Sequence, residues 1–180
     1  MSIKINGEKM KIGIIGQGFV GSAIREGLKN FYEVKGYDLD SSKCFNMGDT
    51  NHQDRLAELV DVSDIVFVCV PTPMRKDGSC DIRILQNAID SAYAFIVEQN
   101  PDPKHADFLN MQGLKKTFVI KSTVPPGTTE KLSFQYPRIN LCFSPEFLTE
   151  ANSYDDFKNQ TRIVIGGAGA KTIKVMFRKV

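Results

Sequence analysis

The sequence predicts an α/β fold, a doubly wound and mostly parallel sheet of about six strands. Three observations predict it. Short apolar runs alternate along the chain with segments of helical periodicity. The run "DIVFVCV" (Asp64–Val70) is rich in β-branched residues and continuously apolar, as a strand covered on both faces reads. A glycine-rich turn, "GQGFVG", joins the first apolar run to the first helical pattern.

The elements follow in order. "MKIGIIG" (Met10–Gly16) is the first strand, and "FVGSAIREGLKNF" is a helix with Val20, Ile24, Leu28 and Phe31 at helical spacing. "YEVKGYDLD" is a short strand ending in acids, and "HQDRLAELV" a short helix. After Asp64–Val70 comes a long amphipathic helix, Asp81–Gln99, and then a polar connection with two prolines, Asn100–Gly113, expected to be an exposed excursion. "KTFVIKS" and "INLCFS" are two more buried strands, "TRIVIGG" is a sixth, and "AKTIKVMFRKV" begins a last helix. Ile173, Phe177 and Val180 form an apolar stripe there, expected either to dock on the sheet or to promote self-association.

A length of 180 residues suits a single domain over 1–180 with a sizeable core. Hydrophobic residues make up 42% and charged residues 24%, the balance of a soluble globular protein. The net charge is +2 with both signs interspersed, so no basic stripe points to nucleic acid. No apolar run is long enough for a membrane span, and the start lacks a signal-peptide pattern, so the expected location is cytoplasmic. The four cysteines, Cys44, Cys69, Cys80 and Cys142, fit no zinc spacing, and only His52 and His105 could add imidazole. They read as reduced thiols, with Cys69 and Cys142 packed inside central strands and no metal site.

Four stretches at strand ends carry chemistry. In "GQGFVG", Gly16 permits a tight turn, Gly18 a close backbone approach to a pyrophosphate and Gly21 close helix packing. The helix that follows offers free N–H groups to the phosphates. Asp38 ends the second strand, 17 residues after Gly21. A carboxylate there accepts hydrogen bonds from a ribose diol and repels a 2′-phosphate, which favours NAD over NADP; a turn or cap role is the alternative. Together these make the fold Rossmann-like. "GGAGAKT" (Gly166–Thr172) is no P-loop, because Ala170 precedes Lys171 where a glycine is needed. "VPTPM" (Val70–Met74) and "STVPPGTT" (Ser122–Thr129) place rigid prolines and hydroxyls where the cofactor crevice should open.

The last stretch is "SPEFLTEA" (Ser144–Ala151). Ser144 suits an N-cap and Pro145 a first helical turn, which would set Glu146 and Glu150 on one face of a short helix at the sheet's carboxyl edge. From the residues alone, Glu146 serves equally as a dipole complement and Glu150 as a solvated surface acid.

With these stretches in order, the chain resembles the N-terminal NAD-binding domain of the UDP-glucose/GDP-mannose dehydrogenase family. The resemblance runs from about Met10 to Gly167 through "GQGFVG", "VPTP…DGSCD", "STVPPGTT" and "SPEFLTEA…DDF…RIVIGG". It implies an NAD-dependent oxidoreductase that converts the C6 alcohol of a nucleotide sugar, a UDP-hexose first of all, to a carboxylate with two NAD per turnover. On this resemblance Gly16, Gln17, Gly18, Phe19, Val20, Gly21, Asp38 and Lys43 would hold the adenosine half of NAD. Val70, Pro71, Thr72, Pro73, Ser122, Thr123 and Glu150 would line the rest of the cofactor site. Thr123 would position the catalytic water and Glu146 would handle protons and thioester hydrolysis. Glu146, Phe147, Leu148 and Thr149 would touch the substrate.

The chain departs from the family in three stretches. Ala151 stands where glycine is common, "SSKCFNMGDTN" replaces a longer helical stretch after Asp38, and Asn100–Gly113 is atypical. The family's helical dimerisation domain and C-terminal UDP-sugar domain, with the active-site lysine, asparagine and nucleophilic cysteine, have no counterpart in these 180 residues. The expectation is therefore NAD binding with negligible turnover by this chain alone, and either a homo-oligomer or a partner chain that completes the site. Two other readings stand beside it: a stand-alone NAD-binding module, and an oxidoreductase of the β-hydroxyacid type, against which "STVPPGTT" and "SPEFLTEA" argue.

Overall fold

Near-uniform burial of the central strands organises the molecule. The computed structural model describes residues 4–5, 8–48, 51–99, 101–102, 104 and 115–177. A small antiparallel ribbon, β1 (Lys4–Ile5) and β2 (Glu8–Lys9), precedes the main sheet. The first core strand is β3 (Lys11–Ile15), followed by α1 (Phe19–Leu28), β4 (Glu33–Tyr37), α2 (His52–Val62) and β5 (Ile65–Val68). Then come α3 (Arg83–Gln99), β6 (Thr117–Ile120), α4 (Thr128–Gln135), β7 (Asn140–Phe143), α5 (Ser153–Asn159), β8 (Gly166–Gly167) and α6 (Ala170–Phe177). The sheet order is β4-β3-β5-β6-β7-β8. β3 to β7 are all parallel, and β8 joins β7 antiparallel.

The side-chain period of two splits the core into two layers. Val66, Val68, Phe118, Ile120 and Leu141 face one layer with Leu59 of α2, Ile89 of α3 and Leu132 of α4. Ile12, Ile14, Ile65, Phe67 and Val119 face the other, with Ile24 of α1, Phe157 of α5 and Ile173 of α6. Every residue of β5 and of β6 is buried, as the uninterrupted apolar runs require. Helices thus cover both faces, and the sheet is mostly parallel, six-stranded and Rossmann-like.

The chain leaves β3 toward β4 on one side and returns to β5 on the other, so the carboxyl ends of β3 and β5 form a switch point where ligands bind. After β4 come a 3₁₀ turn (Ser41–Lys43) and the antiparallel bridge Gly36↔Phe45, ahead of α2.

Two expectations need correction. "TRIVIGG" supplies a strand only at Gly166–Gly167, and it runs antiparallel. The β-branched run Thr161–Ile165 joins no ladder, and only the two glycines after it come alongside β7. Cys69 lies one residue past β5 and is half-buried, whereas Cys142 is fully buried inside β7. The terminal stripe follows its docking branch. Ile173 and Met176 are buried, Phe177 packs on Phe67 and Phe157, and the Tyr32 hydroxyl donates to the Met176 carbonyl at 2.8 Å. Val180 lies outside the described residues, as does the Asn100–Gly113 connection apart from Pro101, Asp102 and Lys104. None of the four cysteines forms a disulfide, and no helix among the described residues is long and apolar enough to cross a membrane.

Candidate functional site

A cleft of about 690 Å³ opens at the carboxyl ends of the strands. Its β4 side is built largely from backbone. Gly16 has φ of 91°, a left-handed conformation, and its amide donates to the Tyr37 carbonyl at 2.8 Å, which ties the turn to β4. A Cβ on Gly21 would lie 1.9 Å from the Gly16 carbonyl oxygen, so only glycine lets α1 start this close to the turn. A Cβ on Gly18 would meet nothing within 4 Å, leaving its backbone open to the cleft. Gly18 is also the N-cap of α1 and supplies no capping side chain, so first-turn N–H groups stay available to an anion.

Asp38 is fixed by this turn. One of its carboxylate oxygens accepts from the Gln17 amide at 2.7 Å, the other from the Asp40 amide at 2.9 Å. A carboxylate has room for further hydrogen bonds on both oxygens. Gln17 itself does not line the cleft. Its buried side chain packs on Gly36, where a Cβ would come within 2.8 Å of it, and it accepts from Arg25 at 3.2 Å. Lys43 lies at the mouth, 3.6 Å from Asp40. A second cavity of about 340 Å³ adjoins here, sharing Gly16, Asp38, Val70 and Pro71 and adding the apolar Leu39, Ile84 and Ala88.

The β5–β7 side is stitched together by side chains. The Thr72 hydroxyl donates to the Thr123 carbonyl and the Ser122 hydroxyl to the Val70 carbonyl, both at 2.6 Å, so the "VPTPM" and "STVPPGTT" exits are held edge to edge. Val70, Pro71, Thr72, Ser122 and Thr123 all line the cleft, together with Phe19, Val20, Leu148 and Glu150. Pro73 does not; it is exposed, and its carbonyl accepts from the Asp81 amide. Phe147 and Thr149 also lie off the cleft. Phe147 carries the Arg162 guanidinium 4.9 Å from its ring centroid, and Thr149 is bound through its amide and hydroxyl to Asp156 at 2.8 and 2.7 Å. Those two bonds hold the Asp156 carboxyl below the usual range.

No helix forms over Pro145–Thr149, so Glu146 and Glu150 do not share a helical face; α5 starts only at Ser153. Tertiary bonds take up the groups that a helix would use. The Lys121 ammonium reaches the Ser144 hydroxyl and the Pro145 carbonyl, each at 3.4 Å, and the Thr149 amide goes to Asp156.

Lys121 is the residue that the sequence reading missed. Its side chain is 4% exposed and lies 2.9 Å from Glu146 Oε2, whose own side chain is 10% exposed. Glu146 Oε1 accepts from the Phe147 amide at 3.0 Å, while Oε2 is buried without a well-aligned hydrogen bond, so its contact with Lys121 is mainly Coulombic. The available signal was a lone lysine closing the apolar run "KTFVIKS" directly before two hydroxyl residues. Cys69, also missed as a cleft residue, lies beside this pair; burial pushes its thiol up to about 12, with Lys121 opposing and Glu146 reinforcing the shift. Burial likewise raises Cys142, to about 11. Cys80 approaches the Thr72 and Thr123 carbonyls at 3.9 and 3.7 Å. Asp81 beside it is bound by Arg83 and Arg75, which hold its carboxyl far below the usual range, so its charge is largely answered. No cluster of three or more metal-ligating side chains occurs among the described residues.

A glycine turn opening a helix, an acid at the next strand end and a switch-point cleft are the arrangement of the doubly wound α/β class in which dinucleotide sites occur. The chain belongs to the UDP-glucose/GDP-mannose dehydrogenase family, whose NAD binding domain matches residues 24–179. It is 30% identical to a UDP-glucose 6-dehydrogenase of Campylobacter jejuni, over 94% of this chain and 45% of that protein. A UDP-glucose dehydrogenase structure from Pyrobaculum islandicum superposes with a TM-score of 0.73 at 25% identity, covering 99% of this chain and 46% of the other. GDP-mannose dehydrogenase from Pseudomonas aeruginosa shares the fold, with a TM-score of 0.74 at 22% identity over 95% of this chain and 44% of that one. The chain thus spans less than half the length of these relatives.

Proposed function

We propose that this chain is the NAD-binding part of a nucleotide-sugar oxidoreductase of the UDP-glucose 6-dehydrogenase type. The observation that carries the reading is the single cleft joining the glycine turn and Asp38 to Lys121, Ser122, Thr123 and Glu146. The pyrophosphate fits over Gly18 and the uncapped start of α1, with no side chain in its way. Asp38 would accept from the adenosine ribose, and the apolar cavity of Leu39, Ile84 and Ala88 would take the adenine. NAD would supply the hydride acceptor for the C6 alcohol. Thr123 would orient a water, Glu146 would move protons, and Leu148 would contact the sugar nucleotide.

A second reading, a module that binds NAD without turnover, is favoured by the thiols. Oxidation to a carboxylate through a covalent thioester needs an accessible, activated cysteine. Cys69 is held near 12 by burial and Cys142 near 11, the Cys44 sulfur lies against the Asp38 backbone, and the Cys80 sulfur is turned to the Thr72 and Thr123 carbonyls. The deciding experiment titrates the purified chain with NAD, adds a UDP-hexose and follows NADH. The expected result is saturable NAD binding with no sustained NADH formation, and turnover once a polypeptide carrying the remaining half of the relatives' length is added. Continuous formation of two NADH per sugar by the chain alone would refute the incomplete-site reading. Absence of NAD binding would remove both readings.

A further inference from the structure

We infer that the buried Lys121–Glu146 pair sets the balance between oxidised and reduced cofactor in this cleft. The inference rests on the reading of the cleft as an NAD site. A dinucleotide bound at a switch point lays one nucleoside over each half of the sheet. Asp38 and the glycine turn take the β4 half, so the nicotinamide faces the half lined by Lys121, Glu146 and Cys69. The nicotinamide ring is cationic when oxidised and neutral when reduced. A lone carboxylate beside it favours the oxidised form, a lone ammonium the reduced form, and a closed pair neither.

The geometry fits a charge-balancing device. Both side chains are nearly removed from water, at 4% and 10% exposure, so solvent screens their fields poorly. The 2.9 Å contact pairs Lys121 with the carboxylate oxygen that has no well-aligned hydrogen bond, leaving charge as the main link between them. The other charge lining this half, Glu150, is exposed and screened by solvent; Asp38 and Lys43 belong to the β4 half. Lys121 and Glu146 both line the cleft, so each acts on the ring through its own field and each answers the other's charge.

The test measures dissociation constants of NAD+ and NADH for the whole chain by calorimetry and takes their ratio. Lys121→Gln keeps a hydrogen-bonding side chain and removes the cation; it should shift the ratio about tenfold toward NAD+. Glu146→Gln should shift it by a similar factor toward NADH. The double variant should return the ratio to within about twofold of the parent, because the cleft is again neutral. Lys121→Arg should hold the ratio even where both affinities fall. A merely structural pair would weaken both cofactors together and leave the double variant worst of all. Unchanged ratios in both single variants, or a double variant that departs further than either, overturn the inference alone. A parent chain that binds neither cofactor overturns the underlying reading with it.

Discussion

Replacing Asp38 by asparagine tests the choice between NAD and NADP. In the parent chain the carboxylate is oriented by the Gln17 and Asp40 amides, at 2.7 and 2.9 Å on separate oxygens. Both oxygens can accept again from a ribose diol. A 2′-phosphate in the diol's place carries nearly two negative charges at roughly 5 Å. At an effective dielectric of about 20, each unit pair costs about 3 kcal/mol. Asp38 is half-exposed, so salt and solvent reduce the total to about 2 kcal/mol, roughly thirtyfold. Asp38→Asn keeps one acceptor oxygen and removes the charge. The NADP-to-NAD discrimination should fall by about that factor, and NAD affinity itself by roughly tenfold through loss of a charged acceptor. Paired calorimetric titrations with the two cofactors read both numbers. The parent's discrimination should shrink as salt rises. Equal affinity of the parent for the two cofactors, or the same ratio in the variant, would refute the assignment.

Four further perturbations probe the scaffold. Gly21→Ala puts a methyl 1.9 Å from the Gly16 carbonyl, so the turn must open; a loss of about 3 kcal/mol in denaturant unfolding and loss of NAD binding are expected. Gly18→Ala meets nothing within 4 Å and should melt like the parent while losing dinucleotide affinity. Phe157→Ala empties a 2% exposed site that packs over Gly27 of α1; the expected cost is about 3–5 kcal/mol in the same unfolding assay. Asp156 is held below its ordinary value by Thr149, so its contribution is present above an unfolded pKa of about 4 and is lost as pH falls through the folded value. Between about pH 5 and pH 2 the parent's melting temperature should therefore drop more than that of Asp156→Asn, and equal drops would contradict the assigned role.

Strands were legible where burial was uniform. β5 and β6 sit between two helical layers, so their apolar runs carried the signal without alternation. The glycine turn was legible because each glycine answers a local need. Lys121 was not, because its meaning depends on Glu146, 25 positions later in the chain, and on Ser144 between them. In the sequence it is only a lysine closing an apolar run. "SPEFLTEA" misled for a related reason. Ser144 and Pro145 do favour a helix start, worth about 1 kcal/mol for a cap, but bonds from Lys121 and Asp156 outweigh that local preference. Gly36 gave no sign that its missing side chain makes room for Gln17.

The two halves of the cleft are specified by different means, and this predicts where substitution will be tolerated. On the β4 side the ligand-facing surface is main chain: the Gly16 turn, the Gly18 backbone and the α1 amides, with Asp38 as the principal side chain. Few side chains there can be altered to change what binds, but almost any Cβ at Gly16 or Gly21 collides with backbone. On the β5–β7 side the surface depends on side chains that span strands: Thr72 to Thr123, Ser122 to Val70 and Lys121 to Glu146. Those contacts can be exchanged singly without breaking the sheet, because the strands beneath them are already paired through their own ladders. Changes on the first side should therefore act on whether a dinucleotide binds, and changes on the second on which redox state is held and what is presented to it.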